Sequence, residues 1–200
     1  MTHTFGPAQA RDFLQRYADK ISAHAQELTD LDAAIGDADH GSNMQRGMQA
    51  VVAALPAEGN PSALLKSAAM ALISKVGGAS GPLYGTALLR AASSQTDKAE
   101  WTSEDLRAAL EAAYAGLIER GKAQVGDKTM LDAWRPALDA LQKGTPEAAA
   151  TAARAGSDAT KAMLAKKGRA SYLGERSVGH LDPGSVSSAL LFEALAEALA

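Results

Sequence analysis

Residues 61–76 read PSALLKSAAMALISKV, and their spacing decides the fold class. Leu64, Leu65, Ala68, Ala69, Leu72, Ile73 and Val76 recur three and four residues apart, which gathers them on one face of a helix and scatters them over both faces of a strand. Pro61 stands where a first helical turn tolerates a missing N–H. Further out, the same periodicity runs through Leu106, Leu110, Ala113 and Leu117, and again through Val186, Leu190, Leu191 and Leu195. Pro82 and Pro146 mark two more helix starts, and Ser103 ahead of Leu106 and Arg107 reads as an N-cap with an incomplete capping box. The pattern predicts eight helices, over about 7–28, 42–55, 61–76, 82–94, 103–121, 128–142, 146–166 and 184–199. No segment alternates as a strand would. The expectation is an all-α chain forming a single domain over 1–200, a barrel or bundle of eight antiparallel helices.

Composition supports helices over a sheet. Hydrophobic residues make up 46% of the 200 residues and charged ones 22%, ordinary for a globular chain with a sizeable core. Aromatics reach only 4%, whereas strands draw on aromatic and β-branched residues. A net charge of −3 gives no broad positive field, which argues against nucleic acid as a partner. There is no cysteine, so disulfides and thiolate metal sites are excluded and a reducing, cytoplasmic location is expected. The start, MTHTFGPAQARDF, lacks the apolar run of a signal peptide, and nowhere do about 18 apolar residues follow one another as a membrane span requires.

Three connections are rich in glycine and polar residues: 36–42, 77–85 and 168–184. The last runs roughly 17 residues without helical periodicity, a length associated with functional loops. Alternate connections of an up-and-down bundle lie at the same end, so these loops can converge on one site.

The first connection lies in 31–47, LDAAIGDADHGSNMQRG. If a helix ends near Ile35, Asp32 projects from its last turn while Asp37 and Asp39 follow in the loop. Carboxylates brought this close repel one another unless a cation or proton intervenes. Oxygen-only ligands suit a hard cation such as Mg²⁺, which also takes water and substrate phosphates. The residues alone leave open that these aspartates cap helices and favour turns. A calcium loop starting at Asp37 fails, because Met48 stands where the terminal glutamate belongs.

The second connection, VGGASGPLYGTALL over 76–89, places Gly77, Gly78, Ala79, Ser80 and Gly81 ahead of a helix expected at Pro82. Small residues let backbone N–H groups approach a phosphate, and a helix N-terminus carries partial positive charge; a tight interhelical turn needs glycine equally. The stretch from Gly116 to Ala123 nearly spells a P-loop, but Ala123 occupies the Ser/Thr position and the segment is helical, so it is rejected. The third connection carries Lys166, Lys167, Arg169, Arg176 and His180 before Asp182, Pro183 and Gly184. Its cations are suited to phosphates, to an acidic partner, or simply to solvent.

Four blocks, GDADHGSNMQRG at 36–47, VGGASGPLYGT at 76–86, RGKAQVGDKTMLDAW at 120–134 and KKGRASYLGERSVGHLDPG at 166–184, resemble the nucleotide-binding L subunit of bacterial dihydroxyacetone kinase. More narrowly, they resemble the type linked to the phosphoenolpyruvate phosphotransferase system. The resemblance implies a barrel of eight antiparallel helices with a nucleotide site built from loops at one end. It implies two Mg²⁺ ions held by Asp32, Asp37 and Asp39, which bridge the ions to the phosphates of ADP or ATP. His40, Gly41, Ser42 and Asn43 are then expected at the nucleotide, and Ala79 and Ser80 at phosphate oxygens. Gly121 and Met130 border the adenine, while Arg169 with Asp182, Pro183 and Gly184 closes over the nucleotide.

The resemblance further implies a K subunit that holds dihydroxyacetone covalently on a histidine, and a phosphohistidine M subunit that rephosphorylates ADP in place. The base is then expected on the partner, which agrees with the lack of a convincing nucleophile or base here. A homodimer is compatible with the sequence. Two readings compete: an L subunit of an ATP-dependent triose or tetrose kinase with exchangeable ATP, and a non-catalytic nucleotide-binding regulatory module. A short chain without a fused K domain fits a multi-subunit system but leaves the phosphoryl donor undecided.

Overall fold

The segment at 61–76 forms a helix, and its start is fixed locally. Asn60 Oδ1 accepts the N–H of Ala63 at 2.9 Å, Pro61 follows, and Leu64, Leu65, Ala68, Ala69 and Leu72 are buried. Ile73, expected on the same face, is 43% exposed. The computed structural model describes residues 4–200. Among these, the α-helices are α1 Pro7–Ala23, α2 Ala25–Ile35, α3 His40–Ala54, α4 Pro61–Lys75, α5 Ser80–Ser94, α6 Ser103–Gly121, α7 Leu131–Lys143, α8 Pro146–Ala159 and α9 Pro183–Ala198. Two 3₁₀ segments, Thr160–Ala162 and Arg169–Ser177, lie between α8 and α9. The described residues contain no strand, only an isolated antiparallel bridge between Phe5 and Trp101.

Each helix from α3 to α8 packs on its successor, and α9 returns to pack on α1, which closes the ring. Neighbours are antiparallel: Ser62 at the start of α4 donates to Ala92 O near the end of α5, and Arg154 of α8 pairs with Glu193 of α9. One hydrophobic cluster extends from Phe5 to Leu199 and draws on α1 to α9. The all-helical barrel is therefore as expected. No helix among the described residues is long and apolar enough to cross a membrane.

The departures have local causes. The helix expected over 7–28 is two: His24, with φ −105° and ψ 10°, interrupts it, its Nδ1 lying 2.8 Å from Lys20 O. Among the described residues, counting the broken first rod once gives eight α-helices and counting each piece gives nine, so the expected count of eight is approximate. α7 starts at Leu131 rather than 128, because Asp132 takes the N–H groups of Gly126 and Thr129 at 2.5 and 2.7 Å and holds 122–130 as a loop. The N-cap of α6 is Thr102, not Ser103, and its capping box with Asp105 is complete. The helix expected over 146–166 ends at Ala159, and the long connection carries the 3₁₀ turns that periodicity did not signal.

Candidate functional site

The connections α2–α3, α4–α5, α6–α7 and α8–α9 all open at one end of the barrel, around a cavity of about 610 Å³. Asp32, on the last turn of α2, is buried, and its Oδ2 accepts the N–H groups of Asp39 at 2.9 Å and His40 at 3.1 Å. Those two bonds fold residues 36–39 back over the helix end. A Cβ on Gly36 would stand 2.0 Å from Asp32 Oδ1, so glycine is what leaves that oxygen room. Ala38 adopts φ 62° to complete the reversal. Asp32, Asp37 and Asp39 each bring one carboxylate oxygen to within 4.8 Å of the others. Arg169 Nη2 lies 2.9 Å from Asp37 Oδ2, an exposed pair that contributes little stability.

Beside the carboxylates, His40 opens α3. Its Nδ1 lies 3.0 Å from Ser80 Oγ and its Nε2 2.9 Å from Ser187 Oγ, 147 residues away. Burial, which outweighs the pull of Asp32 and Asp39, keeps the imidazole below its usual pKa and so neutral. The network continues inward: Ser187 Oγ lies 2.7 Å from Tyr84 Oη, which is 3.0 Å from Ser188 Oγ, and Trp134 Nε1 donates to Ser188 at 3.2 Å. His40 is thus a strut between the glycine-rich turn and the core.

The glycine-rich turn forms the opposite lip. Gly78 takes φ 64°, and α5 starts at Ser80, two residues earlier than Pro82 suggested, without a side-chain cap on Ala79. Its first N–H groups therefore face the cavity mouth together with its positive dipole end. Leu83, Leu117, Gly121 and Met130 add an apolar wall. The far wall is Asp182, Pro183 and Gly184, where Asp182 caps α9 by accepting the N–H of Ser185 at 2.6 Å. Burial first, then the charges of Asp132 and Asp32, push the Asp182 carboxyl up to about 7.

Twelve of the residues expected from the sequence line this cavity: Asp32, Asp37, Asp39, His40, Ala79, Ser80, Gly121, Met130, Arg169, Asp182, Pro183 and Gly184. Three stand behind its rim. A Cβ on Gly41 would meet Ala25 O at 1.9 Å, so this glycine lets α3 start close against α2. Ser42 Oγ donates to Asp39 O at 3.0 Å, and buried Asn43 accepts from Arg46. Sequence reasoning missed Lys128 and the Tyr84–Ser187–Ser188 network. The adjacent Ser187 and Ser188 on the buried face of α9 were a legible signal; Lys128, in a short polar loop, carried none.

Residues 34–197 match the family described as DAK2 domain. The chain is 48% identical over 191 residues to the PTS-dependent dihydroxyacetone kinase, ADP-binding subunit DhaL, of Lactococcus lactis, covering 94% of this chain and 96% of that one. It is 44% identical over 199 residues to the PEP-dependent dihydroxyacetone kinase, ADP-binding subunit DhaL, of Escherichia coli, covering 94% and 95%. At 38% identity it resembles the L-erythrulose 1-kinase of Mycolicibacterium smegmatis, covering 93% of this chain and 34% of that one. The crystal structure of the dihydroxyacetone kinase from C. freundii in complex with AMP-PNP and Mg²⁺ superposes with a TM-score of 0.73 at 26% identity, covering 96% of this chain and 34% of that one. This chain thus spans about a third of that kinase's length. Aligned over nearly its whole length with such subunits, and sharing the helical layout of that kinase, the chain belongs to the DAK2-domain family of dihydroxyacetone kinases.

Proposed function

We propose that this chain is the nucleotide-holding subunit of a multi-subunit, phosphoenolpyruvate-fed dihydroxyacetone kinase working in the cytoplasm. The observation that carries the reading is the trio Asp32, Asp37 and Asp39, with oxygens within 4.8 Å of one another, on the mouth of a cavity shared with an uncapped helix N-terminus. The trio fits a hard divalent cation: every donor is oxygen, and Asp32 is pre-oriented by two backbone N–H groups. In this reading Asp32, Asp37 and Asp39 hold two Mg²⁺ ions, which supply neutralisation of the phosphate charge.

The chain's own groups do the rest. Ala79 and Ser80 offer N–H donors to phosphate oxygens, with the Ser80 hydroxyl oriented by His40. His40, Gly41, Ser42 and Asn43 build the first turn of α3 beside the metal end. Gly121 and Met130, with Leu83 and Leu117, give the cavity an apolar wall suited to adenine. Arg169 and the Asp182–Gly184 wall close over the nucleotide. Neither His40, fixed between two hydroxyls, nor Lys128, spent on backbone carbonyls, is placed as a general base. In this reading the base and the covalently held dihydroxyacetone belong to a K subunit. A phosphohistidine M subunit rephosphorylates ADP without its leaving.

A second reading keeps the chemistry but lets ATP exchange; the observation beside it is the 38% identity to an L-erythrulose 1-kinase, whose name carries no phosphoenolpyruvate dependence. The test is to purify the chain, release its nucleotide by denaturation, and assay dihydroxyacetone phosphorylation with K subunit plus either ATP or a phosphoenolpyruvate relay. Co-purified ADP with activity only through the relay is expected. Multiple turnovers on free ATP would replace the first reading by the second, and binding without transfer in either regime would sink both.

A further inference from the structure

Lys128 is only 1% exposed, although it belongs to a surface connection. Its Nζ donates to Ser177 O at 2.5 Å, His180 O at 2.6 Å and Met163 O at 3.1 Å, so all three ammonium protons are used on one segment. Its backbone takes φ 62°, the left-handed region that a residue with a Cβ occupies at a cost. Asp132 holds it there by accepting the N–H groups of Gly126 and Thr129 on either side. The adjoining Asp127 O accepts Lys166 N at 3.1 Å, a further bond between the same two connections.

The segment so held has little apolar anchorage of its own. Ala165 and Ala170 meet Ile35 in a small cluster, while Leu164, Tyr172 and Val178 are 39%, 87% and 39% exposed. The three acceptor carbonyls bracket Arg169 and lead directly to Asp182. A strained, buried cation thus joins two loops across the mouth, and besides its charge interaction with Asp182 its three hydrogen bonds all fix that geometry.

We propose that Lys128 is a positioning residue: its ammonium pins the 160–182 segment over the cavity and thereby limits how fast a bound nucleotide leaves. The release half of this statement rests on the function proposed above; the pinning half does not. Replacing the ammonium frees three carbonyls at once and lets the segment open as a unit.

The chain contains no cysteine, which permits a single-atom-level test. Lys128→Cys is alkylated while unfolded and refolded, either with an aminoethyl group, which restores an ammonium at the same reach, or with a propyl group of matching size and no charge. Trypsin cleavage after Lys161, Lys166, Lys167, Arg169 and Arg176 is followed without nucleotide, and release of MgADP is followed by chase. The propyl form is expected to be cut, and to release MgADP, about tenfold faster than wild type at unchanged far-UV ellipticity, with the aminoethyl form restoring both rates. Equal rates for the two forms would overturn the proposal, as would faster cleavage with unaltered release. Loss of ellipticity confined to the propyl form would also overturn it, because Lys128 would then serve the whole fold. Wild-type protein that binds no MgADP would remove the functional reading, while cleavage would still decide the pin.

Discussion

At the end of the barrel carrying Phe5 and Trp101, helices start on side-chain caps; at the cavity end most do not. α4, α6 and α8 begin with Asn60, Thr102 and Thr145 accepting backbone N–H groups, and Gln9 reaches back to Gly6 at the start of α1. α3, α5 and α7 begin at Asp39, Ala79 and Met130 with no side-chain cap, and only α9 is capped there, by Asp182. Backbone strain divides the same way. Ala38, Lys122 and Lys128, the described non-glycine residues with positive φ, all lie at the cavity end. The closed end is instead sealed by packing, with Phe5, Phe13 and Trp101 in ring contact. The closed end caps its helix starts with their own N-terminal side chains; the cavity end keeps the start of α5 uncapped beside three like charges.

The largest expected effect tests whether the ends are independent. Trp101 is fully buried against Phe5, so Trp101→Ala should cost about 3–5 kcal/mol in urea unfolding. MgADP affinity of the folded protein should stay at the wild-type value; a matching loss of affinity would break the division between the ends. Next comes Asp37→Asn. Outer-shell changes at metal sites already cost about 10–100-fold, so loss of a ligand should weaken MgADP binding by more than about 100-fold. Stability should hardly change, since one like charge is removed and the pair with Arg169 is exposed. Wild-type transfer by this variant, or an unfolding penalty of core size, would make the trio part of the scaffold.

The smallest effect concerns pH in the metal-free protein. The carboxyl of Asp182 rises from 3.8 to about 7 on folding, so between these values the folded chain binds a proton that the unfolded chain has released. Its stabilising contribution is fully present below about 4, is lost as pH rises towards 7, and is absent above. Between pH 5 and 7.5 the melting temperature of wild type should fall more steeply than that of Asp182→Asn, which keeps an oxygen to cap Ser185. Parallel slopes would show that burial and the charges of Asp132 and Asp32 do not outweigh the opposing pull of Lys128, so that the cavity end does not suppress ionisation of Asp182.

Much of this arrangement was legible in the residues. The apolar spacing of 61–76 and 184–199 specified α4 and α9 because helical faces follow from local periodicity. Asp32, Asp37 and Asp39 stood out because they lie within eight residues of one chain segment, so a single turn could gather them. The break at His24 was hidden, since the apolar pattern continues through it and only a side-chain contact with Lys20 O marks the interruption. Thr102 was passed over for Ser103 because both can cap; the choice fell to the residue whose partner, Asp105, closes the box.

By itself the sequence determined the helices, the clustering of the acidic trio and the small residues of the phosphate-type turn, because each depends on neighbours a few positions away. The tertiary structure alone decided that His40 meets Ser187, that Lys128 reaches the carbonyls of Met163, Ser177 and His180, and that four connections surround one cavity. A buried polar group is tolerable only where distant partners satisfy it. No local pattern specifies those partners, and the closed barrel brings them together.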